Sequence, residues 1–431
     1  MSRAQPPVGC ARFLGVLGFD APQGYLYTLG SQDPEGGTGA CLWYNTLFVE
    51  DLSMKVSCLQ ENLAKGLSIV SRAVATRSTL PVLSNILLST DESRLKLSAT
   101  NLEIGINCWI GAQVNQEGAI TVPARLLLDL VNSLPAERIE MELITRTQTL
   151  NLRAGRFEAN IKGVDAQEFP LIIVPEEDQA ISIDADVLRR AVDQVAFAAA
   201  TDESRPVLTG VLVSVTDSGL AFAAADGYRC SIRDILAATP PESDKLSVIV
   251  PARALQELRR ISGDSEEPIE MLIDSGRSQV FFHMKDVDLV SQLVEGTFPD
   301  VRQTVPSNWN TRTTLATAEF LKAIRMAQIF ARDSANVVRM QIVPDEEGGP
   351  GRLIVTATSS EYGDNVGELD VSVEGDPIEI AFNARYLIDV LNVTDAAQVV
   401  LETRDPSNPG VLRQAGDPDF VHIVMPMHVA R

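Results

Sequence analysis

Three stretches of the chain share one pattern, and their repetition decides the fold: TVPARLLLDLVNSL at 121–134, IVPARALQELRRIS at 249–262 and AFNARYLIDVLNVT at 381–394. Each stretch passes from a short apolar strand into an amphipathic helix, with an arginine at the helix start. The three arginines, Arg125, Arg253 and Arg385, are 128 and 132 residues apart. This spacing predicts an internal repeat, with one domain-sized unit for each stretch.

The sequence around these stretches repeats in the same order. A helical pattern and a pair of apolar strands precede each stretch, and further strands follow it, as in LPVLSNILLST and LKLSATNLEIGI before the first. The closing strands of the three units are predicted at EFPLI, TFPDVRQTV and FVHIVMPM. The periodicity predicts six helices, at 61–77, 124–133, 185–199, 252–261, 317–332 and 384–392.

Strands of alternating polarity need one face covered, and two amphipathic helices in each unit can cover it. We therefore predict an α+β fold of three similar domains, at 54–178, 179–305 and 306–431, joined by the polar linkers VPEEDQA and VPSNWNTRTT. Unrelated α+β domains that share only helix-start chemistry are the alternative. Residues 1–53 are rich in Gly, Pro and small polar residues and have no sustained period. They are expected to be a disordered leader or a start-site artefact, with translation beginning at Met54.

The charge of the chain is unevenly distributed. The net charge of −22 argues against nucleic acid when taken as one number. The six predicted helices, however, contain thirteen Lys and Arg against seven Asp and Glu, so a positive helix set lies within an acidic chain. A phosphate-facing layer has this segregation, although the exposed faces of ordinary amphipathic helices are the alternative. Aromatic residues make up 5%, which favours contact with the nucleic-acid backbone over base stacking.

Motifs for catalysis, metal binding and membrane insertion are missing from the sequence. It contains no HExxH, P-loop, GxSxG or GxGxxG motif, and no apolar run of membrane-spanning length. No cofactor or metal is therefore expected, and the expectation of an enzyme is lowered. The cysteines form no CxxC pair and make a poor disulfide framework or zinc site, which favours a reducing cytoplasm. They are Cys10, Cys41, Cys58, Cys108 and Cys230.

An ordered set of motifs spans 54–431: MKVSCLQENLAKGL, RSTLPVLSNILL, TVPAR, RPVLTGVLV, AADGYR, EGTFPDVR, FNARYLIDVL and VMPM. In this set the chain closely resembles the bacterial DNA polymerase III β subunit family, the sliding clamps. The resemblance implies a head-to-tail homodimeric ring of six similar domains, with helices lining a hole for duplex DNA and sheets forming the outer wall. It also implies a non-catalytic subunit that holds the polymerase to its template. An acidic peptide-binding scaffold that does not encircle DNA is the alternative.

The resemblance implies sequence-independent contacts to double-stranded DNA at three arginines. These are Arg77, in the loop after the first helix, Arg125 in TVPAR and, as a further candidate, Arg253 in the second VPAR. A guanidinium group hydrogen-bonds phosphate oxygens whatever the base sequence. A structural role at the helix start is the alternative for Arg125 and Arg253, although a cation there is unfavourable for the helix dipole.

The resemblance also implies a pocket between the second and third domains for a short, partly apolar peptide. The peptide is carried by the replicative polymerase α subunit, other polymerases, the clamp loader and mismatch-repair proteins. Methionines suit such a pocket because they adapt to several ligands, with core packing as the alternative for Met425 and Met427. The matching positions are Leu208, Ala225, Gly227, Tyr228, Arg229, Cys230, Pro299, Thr304, Asn383, Tyr386, Ile423, Met425, Pro426 and Met427.

Two further expectations follow from the resemblance. Subunit contact is implied between Arg156 and Phe157 of one protomer and Ile329 and Phe330 of the next, with an internal position of Phe157 as the alternative. The family commonly ends with a basic and an apolar residue after MPM, whereas this chain ends in MPMHVAR. His428 takes the basic place, which leaves the charge of the pocket rim open.

Overall fold

The computed structural model describes residues 54–170, 172, 180–216, 219–236, 247–263, 265–274, 276–345 and 349–428. The expected leader at 1–53, most of the VPEEDQA linker and the last three residues lie outside this part of the chain. No helix within it has the length and apolar character needed to cross a membrane.

The described residues contain one order of elements three times: a strand, a helix, four strands, a second helix and three strands. In the first repeat these are β1 (Lys55–Leu59), α1 (Gln60–Val70), β2 (Asn85–Asp91), β3 (Arg94–Thr100), β4 (Ile104–Gln116), β5 (Ala119–Pro123), α2 (Ala124–Ser133), β6 (Arg138–Ile144), β7 (Thr149–Ala154) and β8 (Phe157–Lys162).

The second and third repeats follow the same order. The second consists of β9 (Ile181–Ile183), α3 (Ala185–Val195), β10 (Gly210–Thr216), β11 (Gly219–Ala225), β12 (Arg229–Leu236), β13 (Ser247–Pro251), α4 (Ala252–Ser262), β14 (Ile269–Ile273), β15 (Gln279–Met284) and β16 (Val287–Gln292). The third consists of β17 (Thr311–Ala316), α5 (Thr317–Ala331), β18 (Val337–Val343), β19 (Gly351–Ser359), β20 (Gly363–Gly375), β21 (Ile378–Asn383), α6 (Ala384–Asn392), β22 (Gln398–Thr403), β23 (Gly410–Gln414) and β24 (Asp417–Val424).

The two helices of each repeat pack on each other, α1 on α2, α3 on α4 and α5 on α6. Each buries one stripe against the sheets, as α1 does with Leu63, Gly66, Leu67 and Val70 at helical spacing. The α+β class and the threefold repeat predicted from the sequence are thus present in the structure.

Neighbouring repeats are joined by strand pairing, because the last strand of one repeat pairs with the fourth strand of the repeat before it. Strand β16 pairs with β4, and β24 pairs with β12, both antiparallel over five residue pairs. We call these pairings the first junction (β4 with β16) and the second junction (β12 with β24). They merge the strands into two sheets of twelve.

Several sequence predictions of local structure were wrong. Helix α1 ends at Val70 and continues only as a 3-10 turn, Ser71–Ala73, so Arg77 lies outside it. LPVLS was predicted as strand, but Pro81 opens a 3-10 turn, Pro81–Ser84. Proline at the first position of such a turn is favoured because its fixed φ suits a helical start and its missing N–H is not needed there.

The described residues of the closing segment EFPLI and the whole of TFPDVRQTV are also not in strands. A 3-10 turn, Ala166–Glu168, ends on the first residue of EFPLI, and another, Val301–Thr304, lies within TFPDVRQTV. Each turn is capped by an aspartate, Asp165 or Asp300, whose carboxylate accepts a backbone N–H two residues later. The FVHIVMPM segment is strand only as far as Val424.

Candidate functional site

The second junction has an apolar side that faces away from the helices. On this side Cys230 lies opposite Ile423 and Ile232 lies opposite Val421. Six buried residues form an apolar cluster there, and because Ala225, Cys230 and Ile423 among them belong to the predicted pocket, we call the cluster the pocket floor. They are Ala223, Ala225, Cys230, Ile232, Val301 and Ile423. The floor joins strands of the second repeat, a turn after it and the last strand of the third.

A tight loop, Asp226–Arg229, forms one rim of the pocket floor. The Asp226 carboxylate accepts the N–H groups of Tyr228 (2.8 Å) and Arg229 (3.0 Å), and Gly227 has a φ of +93°, which favours glycine. This geometry turns the Tyr228 side chain outward, and it is 61% exposed. A rigid loop therefore presents an aromatic ring beside the floor.

The end of the described chain forms a second rim beside this loop. The Met425 N–H donates to the Tyr228 carbonyl (2.8 Å), and two residues later the Met427 N–H donates to the Ala381 carbonyl (2.8 Å). Pro426 lies between them and has no N–H to donate. Met425 is 42% exposed, and Met427 is partly buried, so neither is a buried core residue.

Arg229 connects the rim loop to the third repeat. Its guanidinium donates to Asp226 (3.1 Å), to the Phe197 carbonyl (2.8 Å) and to Asp389 on α6. It also lies 4.5 Å from the centroid of the Tyr386 ring. Only 10% of the Arg229 side chain is exposed. It is therefore a largely buried cation with hydrogen-bond acceptors in the second and third repeats.

Tyr386 completes the wall on the side of α6. Burial raises the pKa of its phenol, the Asp226 carboxylate adds to the rise, and the Arg229 guanidinium opposes it. Asn383 begins this helix, since its side-chain oxygen accepts the Arg385 N–H (2.9 Å). The phenol is therefore uncharged at neutral pH and is a potential hydrogen-bond donor beside the floor.

The other predicted pocket residues lie on nearby turns. Leu208 is half-buried on a 3-10 turn, Pro206–Thr209, while Pro299 and Thr304 are exposed in the segment that follows β16. Sequence reasoning missed Asp226, Phe197 and Asp389. Asp226 lies within the AADGYR motif, and Asp389 lies one turn after Tyr386 on the same helix. Those positions are the only signal in the sequence that points to them.

The side of the second junction that faces the helices is polar. A hydrogen bond of 2.7 Å joins Ser231 Oγ to His422 Nδ1, and Arg233 donates to Asp417. Burial lowers the pKa of His422 to about 3, and the nearby Arg229 cation adds to this effect. His422 is therefore a neutral histidine inside the protein.

The cysteines of the described residues are buried. Burial raises the pKa of Cys58, Cys108 and Cys230 to about 12, so these thiols are protonated. Within the described ranges, no group of three or more His, Cys, Asp or Glu side chains is arranged to hold a metal ion.

The three arginines predicted to contact DNA are all exposed. Arg77 lies in the loop after α1, and Arg125 and Arg253 are each the second residue of a helix, α2 and α4. The Arg125 side chain is 96% exposed and lies 4.0 Å from Asp129. Arg77 and Arg253 make no ion pair with any described residue.

The positive charge of the helices is partly neutralised. Six of the thirteen basic residues form ion pairs with nearby carboxylates: Arg72, Arg125, Arg189, Arg190, Arg259 and Arg260. Within the described part of the chain the other seven, which include Lys65, Lys322 and Arg385, have no such pair. Four of the carboxylate partners, Asp129, Asp186, Asp193 and Glu257, are among the seven acidic residues of the helices, so the excess counted from the sequence already includes them.

The residues predicted to form the subunit contact lie at two separate places. Arg156 and Phe157 are at the start of β8, and Phe157 is 61% exposed, which excludes the internal alternative. Ile329 on α5 is 58% exposed, whereas Phe330 packs partly against the core of the third repeat. Three of the four side chains are thus exposed and able to meet a second subunit.

Comparison with known proteins covers most of the chain. Models of the DNA polymerase III beta subunit match its N-terminal domain at 54–173, its central domain at 182–300 and its C-terminal domain at 302–428. A beta sliding clamp of Synechococcus elongatus is 33% identical over 383 residues, covering 87% of this chain and all of the relative.

Solved structures agree with the sequence comparison. The DNA polymerase sliding clamp of Bacillus subtilis has a TM-score of 0.82 at 29% identity, covering 88% of this chain and all of the other. A Pseudomonas aeruginosa sliding clamp bound to griselimycin has a TM-score of 0.80 at 29% identity, again over 88% of this chain and all of the other.

Proposed function

The chain belongs to the DNA polymerase III beta subunit family, the beta sliding clamps, and from this premise we propose how its residues act. It is a sliding clamp, the non-catalytic processivity subunit of DNA polymerase III in DNA replication. Two copies close head to tail into a ring around double-stranded DNA, with domains at 54–178, 179–305 and 306–431. The alternative of an acidic scaffold that does not encircle DNA is not favoured by these relatives.

Two strand edges carry the proposal of a ring. Strand β8 pairs only with β7 among the described strands, and the first half of β20 pairs only with β19. Strands β8, β16 and β24 are the last strands of the first, second and third repeats. Strands β4, β12 and β20 are the fourth strands of the same three repeats. The same pairing that forms both junctions within the chain is thus available between two chains.

The junctions also predict the register between subunits. The third and fourth strands of each repeat form a hairpin that closes with Thr100 opposite Gly105, Ala225 opposite Cys230 and Ser359 opposite Gly363. The fourth strands can therefore be aligned at Gly105, Cys230 and Gly363. In this alignment Cys108, Arg233 and Val366 occupy the same position, three residues further along. In the first junction Cys108 lies opposite Val287, the first residue of its strand.

Phe157 is the first residue of β8 and corresponds to Val287. We therefore expect Phe157 of one subunit to lie opposite Val366 of the partner subunit. The two side chains are 61% and 64% exposed in the single chain. Burying this apolar pair is favourable, and Ile329 on α5 adds a further exposed apolar side chain for the interface.

Arg77, Arg125 and Arg253 are proposed to contact DNA phosphates. The exposure of all three and the absence of an ion pair to a described residue at Arg77 and Arg253 support this, because their donors are available to phosphate oxygens. We expect Arg77→Ala with Arg125→Ala to weaken DNA association and loading while leaving the dimer intact. Unchanged loading would show that these positions do not touch the duplex.

The pocket floor and its two rims are proposed to bind a partly apolar peptide of partner proteins. The partners are the replicative polymerase α subunit, other polymerases, the clamp loader and mismatch-repair proteins, all acting in the cytoplasm. Deleting the chain from Met425 onward removes one rim, so we expect it to abolish polymerase stimulation but not dimer formation. Griselimycin is bound by the Pseudomonas aeruginosa relative and is a second probe. We expect it to bind this chain, and we expect the same deletion to abolish that binding.

A topological experiment tests the function as a whole. After loading onto nicked circular DNA by a clamp loader, the protein should remain bound at salt concentrations that remove ionic binders, since a ring is held by linkage and not by charge. Cutting the DNA to a linear form should release it. Equal loss from circular and linear DNA would remove the clamp proposal and leave the peptide-binding scaffold.

A further inference from the structure

One ion pair ties the second repeat to the third at the mouth of the pocket. The Arg229 guanidinium donates to three acceptors. Asp226 and the Phe197 carbonyl belong to the second repeat, and Asp389 belongs to α6 of the third. Asp226 and the Phe197 carbonyl hold the guanidinium against its own loop. Asp389 is the hydrogen-bond acceptor that the third repeat contributes.

The same cation touches Tyr386, which lies one helical turn before Asp389. Residues three apart on a helix share a face, so both side chains point toward Arg229. The ring centroid of Tyr386 is 4.5 Å from the guanidinium carbon, within the range of a cation–π contact. An ion pair at Asp389 therefore fixes how α6 presents the Tyr386 ring to the rim loop.

We propose that Asp389 is a positioning residue of the partner pocket, because its pair with Arg229 holds the Tyr386 wall against the Asp226–Arg229 rim. This inference rests on the proposed function, since it concerns the affinity of that pocket for a partner. Asp389 has 41% of its side chain exposed, whereas Asp226 has 16% exposed and remains beside the cation when Asp389 is changed. Loss of the Asp389 charge therefore removes the ion pair between Arg229 and α6 without leaving a buried cation unpaired.

The test measures binding of the purified α subunit of a bacterial DNA polymerase III to the immobilised full-length dimer. Asp389→Asn should raise the dissociation constant about tenfold, the size expected for a charge-assisted contact that orders a binding wall. Its melting temperature and dimer mass should match those of the wild type. Asp389→Glu keeps the charge and should bind within about twofold of wild type.

Asp395→Asn is the matched control. Asp395 forms an ion pair of 3.4 Å with Arg190, is 73% exposed and follows the same helix, but it does not touch the pocket rims. Its change should leave the affinity for the α subunit unaltered. A loss of affinity equal to that of Asp389→Asn would show a general charge effect and overturn the positioning role.

A double-mutant cycle separates positioning from a purely structural effect. In a Tyr386→Ala background the side chain to be positioned is absent, so Asp389→Asn should change the affinity by less than about twofold. The inference would be overturned, with the proposed pocket left intact, if Asp389→Asn raised the dissociation constant by the same factor with and without Tyr386. It would also be overturned if the Asp389→Asn protein bound as well as wild type. A wild-type protein that does not bind the α subunit would instead refute the proposed pocket, and the positioning role with it.

Discussion

The first and second junctions are each five antiparallel residue pairs long, but their polarity differs on both sides. In the first, Cys108 with Val287 and Ile106 with Leu289 face the helices, and Asn107 with Asp288 faces outward. In the second, the residue pairs that face the helices include Ser231 with His422 and Arg233 with Phe420. Its outward pairs are apolar: Cys230 with Ile423 and Ile232 with Val421.

This difference explains why the pocket floor lies at the second junction. Alternation along a strand gives each junction two sides. The residue pairs with two apolar side chains face the helices at the first junction and face outward at the second. The buried core is correspondingly continuous across the first and second repeats, while the third has a core of its own. The outward apolar floor thus accompanies polar side chains on the helix side of the second junction, and four substitutions test this difference between the junctions.

The largest effect is expected at Leu289, the position of the first junction that corresponds to His422. Leu289→His places an imidazole opposite Ile106, where both positions are fully buried and no hydroxyl is available. The loss of leucine packing and the unsatisfied polar atoms should lower the free energy of unfolding by about 4 kcal/mol. Urea denaturation measures this, with Leu289→Met, expected to lose less than about 1.5 kcal/mol, as control. Equal losses for the two variants would show that the first junction tolerates polarity.

Next in size is the loss of the buried ion pair at the second junction. Asp417 accepts from Arg233, whose side chain is 12% exposed, so Asp417→Ala leaves a nearly buried guanidinium without its carboxylate. We expect a loss of about 3 kcal/mol in the free energy of unfolding. Asp395→Ala, which breaks an exposed pair, should lose less than about 1 kcal/mol. A small effect at Asp417 would mean that water or other groups already compensate Arg233.

His422 makes the second junction sensitive to acid. Its pKa is about 3 in the folded protein, below the value of an unfolded histidine, so the unfolded chain binds more protons as the pH falls below about 6.5. Stability contributed by the neutral histidine is present above that pH and is lost progressively down to pH 3, by about 2 kcal/mol at pH 5. His422→Asn retains a hydrogen-bonding group for Ser231 but does not titrate. The free energy of unfolding, measured from pH 8 to 5, should therefore fall less for this variant than for the wild type. An equal fall in both proteins would contradict the assignment.

The smallest effect compares two cysteines. Cys108 faces the helices at the first junction, and Cys230 faces outward at the second, and both are buried. A serine at either site buries a hydroxyl and should lower stability by about 1 kcal/mol. Only Cys230→Ser should also weaken binding of the polymerase α subunit, because only Cys230 belongs to the pocket floor. A similar loss of binding for Cys108→Ser would show that the loss does not depend on the side of the junction that the cysteine faces.

Much of the fold could be predicted from the sequence because its signals are local. The three helix-start stretches predicted α2, α4 and α6, and the helical period predicted the other helices to within a few residues, except that α1 was extended past Val70. Proline and aspartate decided the errors, at Pro81 and at the turns capped by Asp165 and Asp300. These residues favour 3-10 turns at places where apolar neighbours suggested strands.

The site was less predictable because it is assembled from distant segments. The pocket positions came from the resemblance to a family, and the residues alone did not show that β24 would pair with β12. Asp389 and Phe197 were missed for the same reason, since both act through Arg229 from other parts of the chain. Alternating polarity shows that a strand has two sides, but not which side a strand of another repeat will leave exposed.

Ring closure is tested most directly by a disulfide between Phe157→Cys of one subunit and Val366→Cys of the partner subunit. After mild oxidation of the double variant, the account predicts a cross-linked dimer and no higher species on a non-reducing gel, because two head-to-tail contacts close the ring. Phe157→Cys with Asp364→Cys, two residues out of register, should cross-link poorly. Absence of the cross-link, or a ladder of longer oligomers, would contradict a closed ring formed by β8 and β20.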